Sequence, residues 1–107
     1  LLLIGGSQSR IDTTGAAPFD ESRVDRPARL AHQPGATRRQ PGHAAVQYVV
    51  GADGRVEPES FRVLLASDPA LIAETRALVL ASRFDAAERQ GARVRQVVRQ
   101  VIPWERR

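Results

Sequence analysis

Ala44-Ala45-Val46-Gln47-Tyr48-Val49-Val50-Gly51-Ala52-Asp53-Gly54-Arg55-Val56 is the stretch whose reading decides the fold. Its first part is rich in β-branched and aromatic residues, with Val46, Tyr48 and Val50 on one face, so it predicts a strand. Asp53-Gly54 supplies the positive φ angles of a tight hairpin, and residues 55–65 return as a second strand. Pro58 removes one ladder donor and belongs at an edge, a bulge or a non-bonded position.

Working outward from the hairpin, Ser67-Asp68-Pro69 reads as a helix start, with Asp68 capping and Pro69 in the first turn. Leu71, Thr75, Leu78 and Ser82 then recur at helical spacing, with Ile72 and Val79 beside them, as an apolar stripe for the core. Phe84 leaves the helix as a plug beneath the sheet, and Glu88-Arg89-Gln90-Gly91 is a polar turn. Residues 94–104 form a last strand of about eleven residues against a usual five or six. Val94, Val98, Ile102 and Trp104 share one of its faces, and Val97 and Val101 share the other with Arg95 and Arg99. The predicted fold class is α+β: a β-β-α-β unit whose three-stranded antiparallel sheet packs on one main helix.

Upstream the signal fades. From Gly5 to Arg29 no apolar period is sustained, Val24 and Leu30 stand alone, and Pro27 discourages a helix. A short degenerate helical turn fits at Ala36-Thr37-Arg38-Arg39, framed by Pro34 and Pro41-Gly42. The expected organisation is a linker or tail over residues 1–33 and one domain over 34–107. Leu1-Leu2-Leu3-Ile4 is read either as a remnant of a signal or anchor segment, because the chain lacks methionine and opens on a bulky leucine, or as ordinary sequence noise.

The net charge is +4, and all sixteen basic residues are arginine. Lysine, asparagine, methionine and cysteine are all missing, and a GC-rich coding bias explains the absence of the first three, whose codons are A-rich or AT-rich. Interspersed acids and few aromatics argue against a nucleic-acid surface, so no nucleic acid is expected as a partner. Without cysteine there is neither a disulfide nor a zinc–thiolate site.

No catalytic constellation is legible. His32 and His43 stand apart in Pro/Gly-rich segments and read as loop histidines. Asp20, Glu21 and Asp25 lack the ligand spacing and central glycine of a calcium loop. Ser7, Ser9 and Ser22 lie in no nucleophile elbow, and Gly5-Gly6 is no phosphate loop. No enzyme and no cofactor are expected. Arg93, Arg95 and Arg99 fall on one side of the last strand, with Arg106 and Arg107 beyond. They are read as edge protection by charge, or as an aid to capturing an extended, partly acidic peptide.

In order and spacing these segments resemble the TonB C-terminal domain family. The hairpin of residues 44–56 is similar to that family's apolar strand, D-G turn and valine strand. Asp68-Pro69-Ala70-Leu71 through Ser82-Arg83-Phe84 is similar to its helix and following aromatic, and Ile102-Pro103-Trp104 to its aliphatic-x-aromatic ending. Phe84-Asp85-Ala86-Ala87 and Gly91-Ala92-Arg93-Val94 stand where the family has F-x-P-A and G-x-P-V, without either proline. Phe19 to Pro27 resembles an E-x-x-V-D-x-P lead-in, and Gln33-Pro34 stands where the family has Tyr-Pro.

The resemblance implies a periplasmic domain of a protein anchored in the inner membrane. Such a protein couples proton-channel motor proteins, through an amino-terminal helix not seen here, to outer-membrane receptors importing siderophores or cobalamin. The receptor's TonB box would add as a strand beside the last strand. Carried over, Val94, Arg95, Gln96, Val97, Val98, Arg99, Gln100 and Val101 would line the added peptide, and Gln33 and Pro34 would flank it. Two other readings stay open: an envelope structural or sensory module of the same fold without motor coupling, and a small basic nucleic-acid-binding domain. A long free edge also invites a homodimer through the last strand.

Overall fold

A computed structural model describes residues 17–34 and 42–104. The fold is mixed α+β, with seven strands in three antiparallel sheets and one main helix among these described residues. The largest sheet has the order β3-β2-β7, with β2 (Gly42–Val50) between β3 (Arg62–Ala66) and β7 (Gln96–Trp104). Its even-numbered face carries the core: Ala44, Val46, Tyr48 and Val50 from β2 and Ile102 and Trp104 from β7, all buried. Helix α1 (Leu71–Ala81) closes that face with Leu71, Thr75 and Val79. Thr75 is fully buried because the Trp104 indole N–H donates to its hydroxyl at 3.0 Å, satisfying both groups away from water.

The predicted hairpin strands, main helix and last strand are present, with differences that have local causes. Of the turn residues only Gly54 and no other has a positive φ, +83°. The chain therefore makes a wider loop, closed by Gly51 N–H on the Arg55 carbonyl, rather than a two-residue primed turn. Gly54 cannot carry a side chain: a Cβ there would overlap the Phe84 carbonyl oxygen. The second strand is interrupted by a 3-10 turn, Pro58–Ser60, where proline's missing donor is harmless. Glu57 N–H and the Ser60 hydroxyl bond the carbonyl and amide of Val49 across the gap, so β2 stays paired. Helix α1 begins later than predicted, because Asp68 caps the preceding turn by accepting from Ala70 N–H. Ile72, expected beside the core stripe, is exposed. Phe84 packs on the core with its ring 6.0 Å from that of Tyr48.

The last strand is not continuous. Residues 92–94 form β6 (Ala92–Val94), which pairs with β5 (Ala87–Arg89) around Gln90 and Gly91, both at positive φ as a type I′ turn requires. Only after Arg95 does the chain join the main sheet as β7.

The expected tail is folded from residue 17 onward. Phe19 bridges Gln96, Arg26 bridges Glu88, and β1 (Arg29–His32) pairs antiparallel with β4 (Arg83–Asp85). These bonds supply the organisation that an apolar period did not announce. His32 lies in β1 and His43 in β2, so both stand in strands rather than loops, and both are exposed. The expected anchor remnant at Leu1-Leu2-Leu3-Ile4, the helical turn at residues 36–39, Ser7, Ser9, Arg106 and Arg107 lie outside the described residues. Among the described residues no helix is long and apolar enough to cross a membrane.

Candidate peptide-binding edge

Among the described residues β7 is an edge strand, and its pairing fixes which backbone groups lack a partner there. Every residue from Gln96 to Trp104 faces a β2 residue in antiparallel register, Val50↔Gln96 through Gly42↔Trp104. The odd residues of β2 turn their backbone groups to the opposite side, as Val49 and His43 show by bonding residues 57, 60 and 67. In an antiparallel ladder the bonded and non-bonded pairs alternate. The odd residues of β7 therefore point N–H and C=O away from β2.

Phe19 demonstrates this directly. Its N–H donates to the Arg95 carbonyl at 2.9 Å and its carbonyl accepts from Val97 N–H at 2.9 Å, a parallel bridge centred on Gln96. Beyond it the N–H and C=O of Arg99 and of Val101 face outward, with no hydrogen-bonding partner among the described residues. Pro103 ends the edge, having no N–H to offer.

The side chains around the edge are largely engaged. Arg95, half-buried, is bidentate to Glu57, with Nε–Oε2 at 2.6 Å and Nη2–Oε1 at 2.8 Å. That hydrogen bonding raises its pKa above the ordinary arginine value. Arg99 donates to the Gln47 side chain at 2.9 Å and pairs with Asp20 at 3.3 Å. Asp20 lies below the usual carboxylate pKa, first because Ser22 donates to it through both hydroxyl and backbone, and then because of Arg99. Of the three arginines read on one side of the last strand, Arg93 and Arg99 are exposed and Arg95 is half-buried; Arg95 and Arg99 have carboxylate partners.

Of the other residues expected to bind, Gln96 is buried, accepting Ala28 N–H at 2.8 Å on Oε1. Val98 packs toward the core, and Gln100 accepts from the Tyr48 hydroxyl. Burial pushes the Tyr48 phenol up to about 12. Val94 belongs to β6, and Val97 is tied to Phe19. Gln33 is exposed and Pro34 half-buried; they follow β1, whose partner is β4, and no hydrogen bond among the described residues joins them to β7.

Two features were not read from the sequence. One is Phe19 on the edge, for which the only signal was a lone aromatic in a polar stretch. The other is an exposed apolar row across the outer face, where Ala45 is flanked by Leu65 and by Val101, the latter 63% exposed. Among the described residues no group of three or more histidines, cysteines or carboxylates is placed to share a metal ion. Compared with models of protein families and with curated proteins, the chain matches none.

Proposed function

We propose that this chain is a TonB-like binding domain that captures an extended peptide by strand addition along β7. The observation that carries the reading is the outward-facing backbone N–H and C=O of Arg99 and Val101, unpartnered among the described residues, on a sheet edge that already accepts one bridge residue, Phe19. Main-chain pairing supplies affinity with little demand on ligand sequence, and side chains at alternate positions tune preference. In the setting that the resemblance implies, the peptide is the TonB box of an outer-membrane receptor. The domain then stands in the periplasm, tethered to the inner membrane and its proton-channel motor proteins, and serves siderophore or cobalamin import. No step of this function requires catalysis or a cofactor.

The test is an NMR titration of the labelled chain with TonB-box peptides. The expected result is a set of amide shifts concentrated at residues 97–101, with saturation. No shift at millimolar peptide overturns the reading in favour of a structural or sensory envelope module. That second reading has one observation in its favour, the partial occupation of the edge by Phe19.

A further inference from the structure

Residues 17–20 do to β7 what a captured peptide would do. Phe19 pairs with it through its backbone, parallel, at Arg95 and Val97. The side chains of the segment are also read. The Arg89 guanidinium lies 4.9 Å from the centre of the Phe19 ring, and the Asp20 carboxylate meets Arg99 at 3.3 Å. Cation–π and charge-assisted contacts of this kind discriminate between side chains as well as adding affinity.

The segment is held lightly and locally. Pairing ends after Phe19, because Asp20 caps the 3-10 turn Glu21–Arg23, which takes the chain off the edge. The turn has no buried residue. The next anchors are Arg23, whose carbonyl accepts from Arg89 Nε at 3.1 Å, and Asp25 and Arg26, whose amides both donate to the Glu88 carbonyl on a different sheet. Residues 17–20 can therefore lift from β7 while the chain from residue 25 onward stays docked. The tether keeps them close, so they return as an intramolecular competitor at high effective concentration.

The two sets of groups are contiguous. Arg95 C=O and Val97 N–H lie on the same side of the chain as the free groups of Arg99 and Val101. A peptide pairing only at Arg99 and Val101 leaves Phe19 in place; one extending toward Arg95 takes the groups Phe19 holds.

We infer that residues 17–20 are a built-in stand-in for the ligand. They gate the Arg95 end of the β7 edge, and the partner displacing them is an extended peptide, parallel to β7, bearing an aromatic residue followed by an acidic one. The inference rests on the strand-addition reading of β7. It adds the ligand's direction, its side-chain signature and its competitor.

The experiment uses the whole chain, as wild type, Phe19→Gly and Phe19→Pro, titrated with a synthetic peptide of residues 17–22 and observed by amide shifts. Phe19→Gly removes the ring, and Phe19→Pro also removes the N–H that Arg95 accepts, so either folded variant reads the competition. The peptide is expected to bind a Phe19 variant at least tenfold more tightly than wild type, with shifts reaching Arg95 and Val97. Replacing the peptide's phenylalanine by alanine, or its first acidic residue by asparagine, weakens binding several-fold. An Arg99→Ala change in the protein abolishes the preference for the acid. Equal affinity for wild type and variants, with shifts confined to residues 99–101, overturns the gating while leaving strand addition intact. No binding to any form at millimolar peptide overturns both.

Discussion

Val101→Pro isolates the edge from the fold. Val101 turns its N–H away from β2, so replacing it with proline removes a donor that no described residue uses. Pro103, on the same side and opposite His43, shows that the strand accepts proline there. The side chain is 63% exposed, so little packing is lost, and the expected cost to folding is under ~1 kcal/mol, within the range of strand preferences. For a bound peptide the change is larger. One inter-strand hydrogen bond is lost, and a peptide carbonyl is left facing the ring; together these cost about 1–3 kcal/mol, or roughly 5- to 150-fold in Kd. Gln100→Pro is the contrast: Gln100 faces β2 and accepts from Tyr48, so that change breaks the ladder and costs ~3 kcal/mol or more in stability. The assay pairs urea denaturation with peptide titration for both variants. Unaltered peptide affinity in folded Val101→Pro, or a loss of stability equal to that of Gln100→Pro, refutes the assignment of the free edge.

Other expectations concern the core, the turns and pH. Thr75→Val strands the buried Trp104 indole N–H and should destabilise by about 1–3 kcal/mol in chemical denaturation, whereas Thr75→Ser keeps the acceptor and costs less. Tyr48, the single tyrosine, has a folded pKa raised from 10.0 to about 12, so its contribution is complete below pH 10 and is lost as pH rises through 12. That loss is on the order of 2–3 kcal/mol, and Tyr48→Phe should flatten stability against pH in this window. Gly54→Ala combines a positive φ with overlap on the Phe84 carbonyl and should cost ~3 kcal/mol or more, measured as a fall in Tm. Gln90→Gly relieves a non-glycine residue at φ 53° and should stabilise by roughly 0.5–1 kcal/mol in the same measurement.

The central elements were legible because each carried several agreeing signals. The first strand alternates, Gly54 marks a left-handed position, and the stripe from Leu71 to Val79 has helical period. The amino-terminal docking was not legible, because it is made of backbone bonds, and these leave no hydrophobic period. Phe19, Asp25 and Arg26 attach through main-chain groups to residues more than sixty positions away. The break at Arg95 was hidden for a related reason. Residues 92–104 alternate without interruption, but two different sheets recruit them, and only partner identity divides them. At the candidate site the strand itself is legible, while the partners of Arg95 and Arg99, namely Glu57, Gln47 and Asp20, are not, because they are remote in sequence.

The order β3-β2-β7 leaves the main sheet with two rims, and they are not equivalent partners for another copy of the chain. Two β7 rims meeting about a twofold axis would run antiparallel and close on themselves as a dimer, whereas β7 against a neighbour's β3 is head-to-tail and would propagate without limit. The register shift opposite Ala45 and Val46, which leaves Leu64 unpaired in β3, disturbs the flat template such a filament would need. An irregularity in the strand farthest from the candidate site therefore guards against runaway assembly, and so allows β7 to stay open.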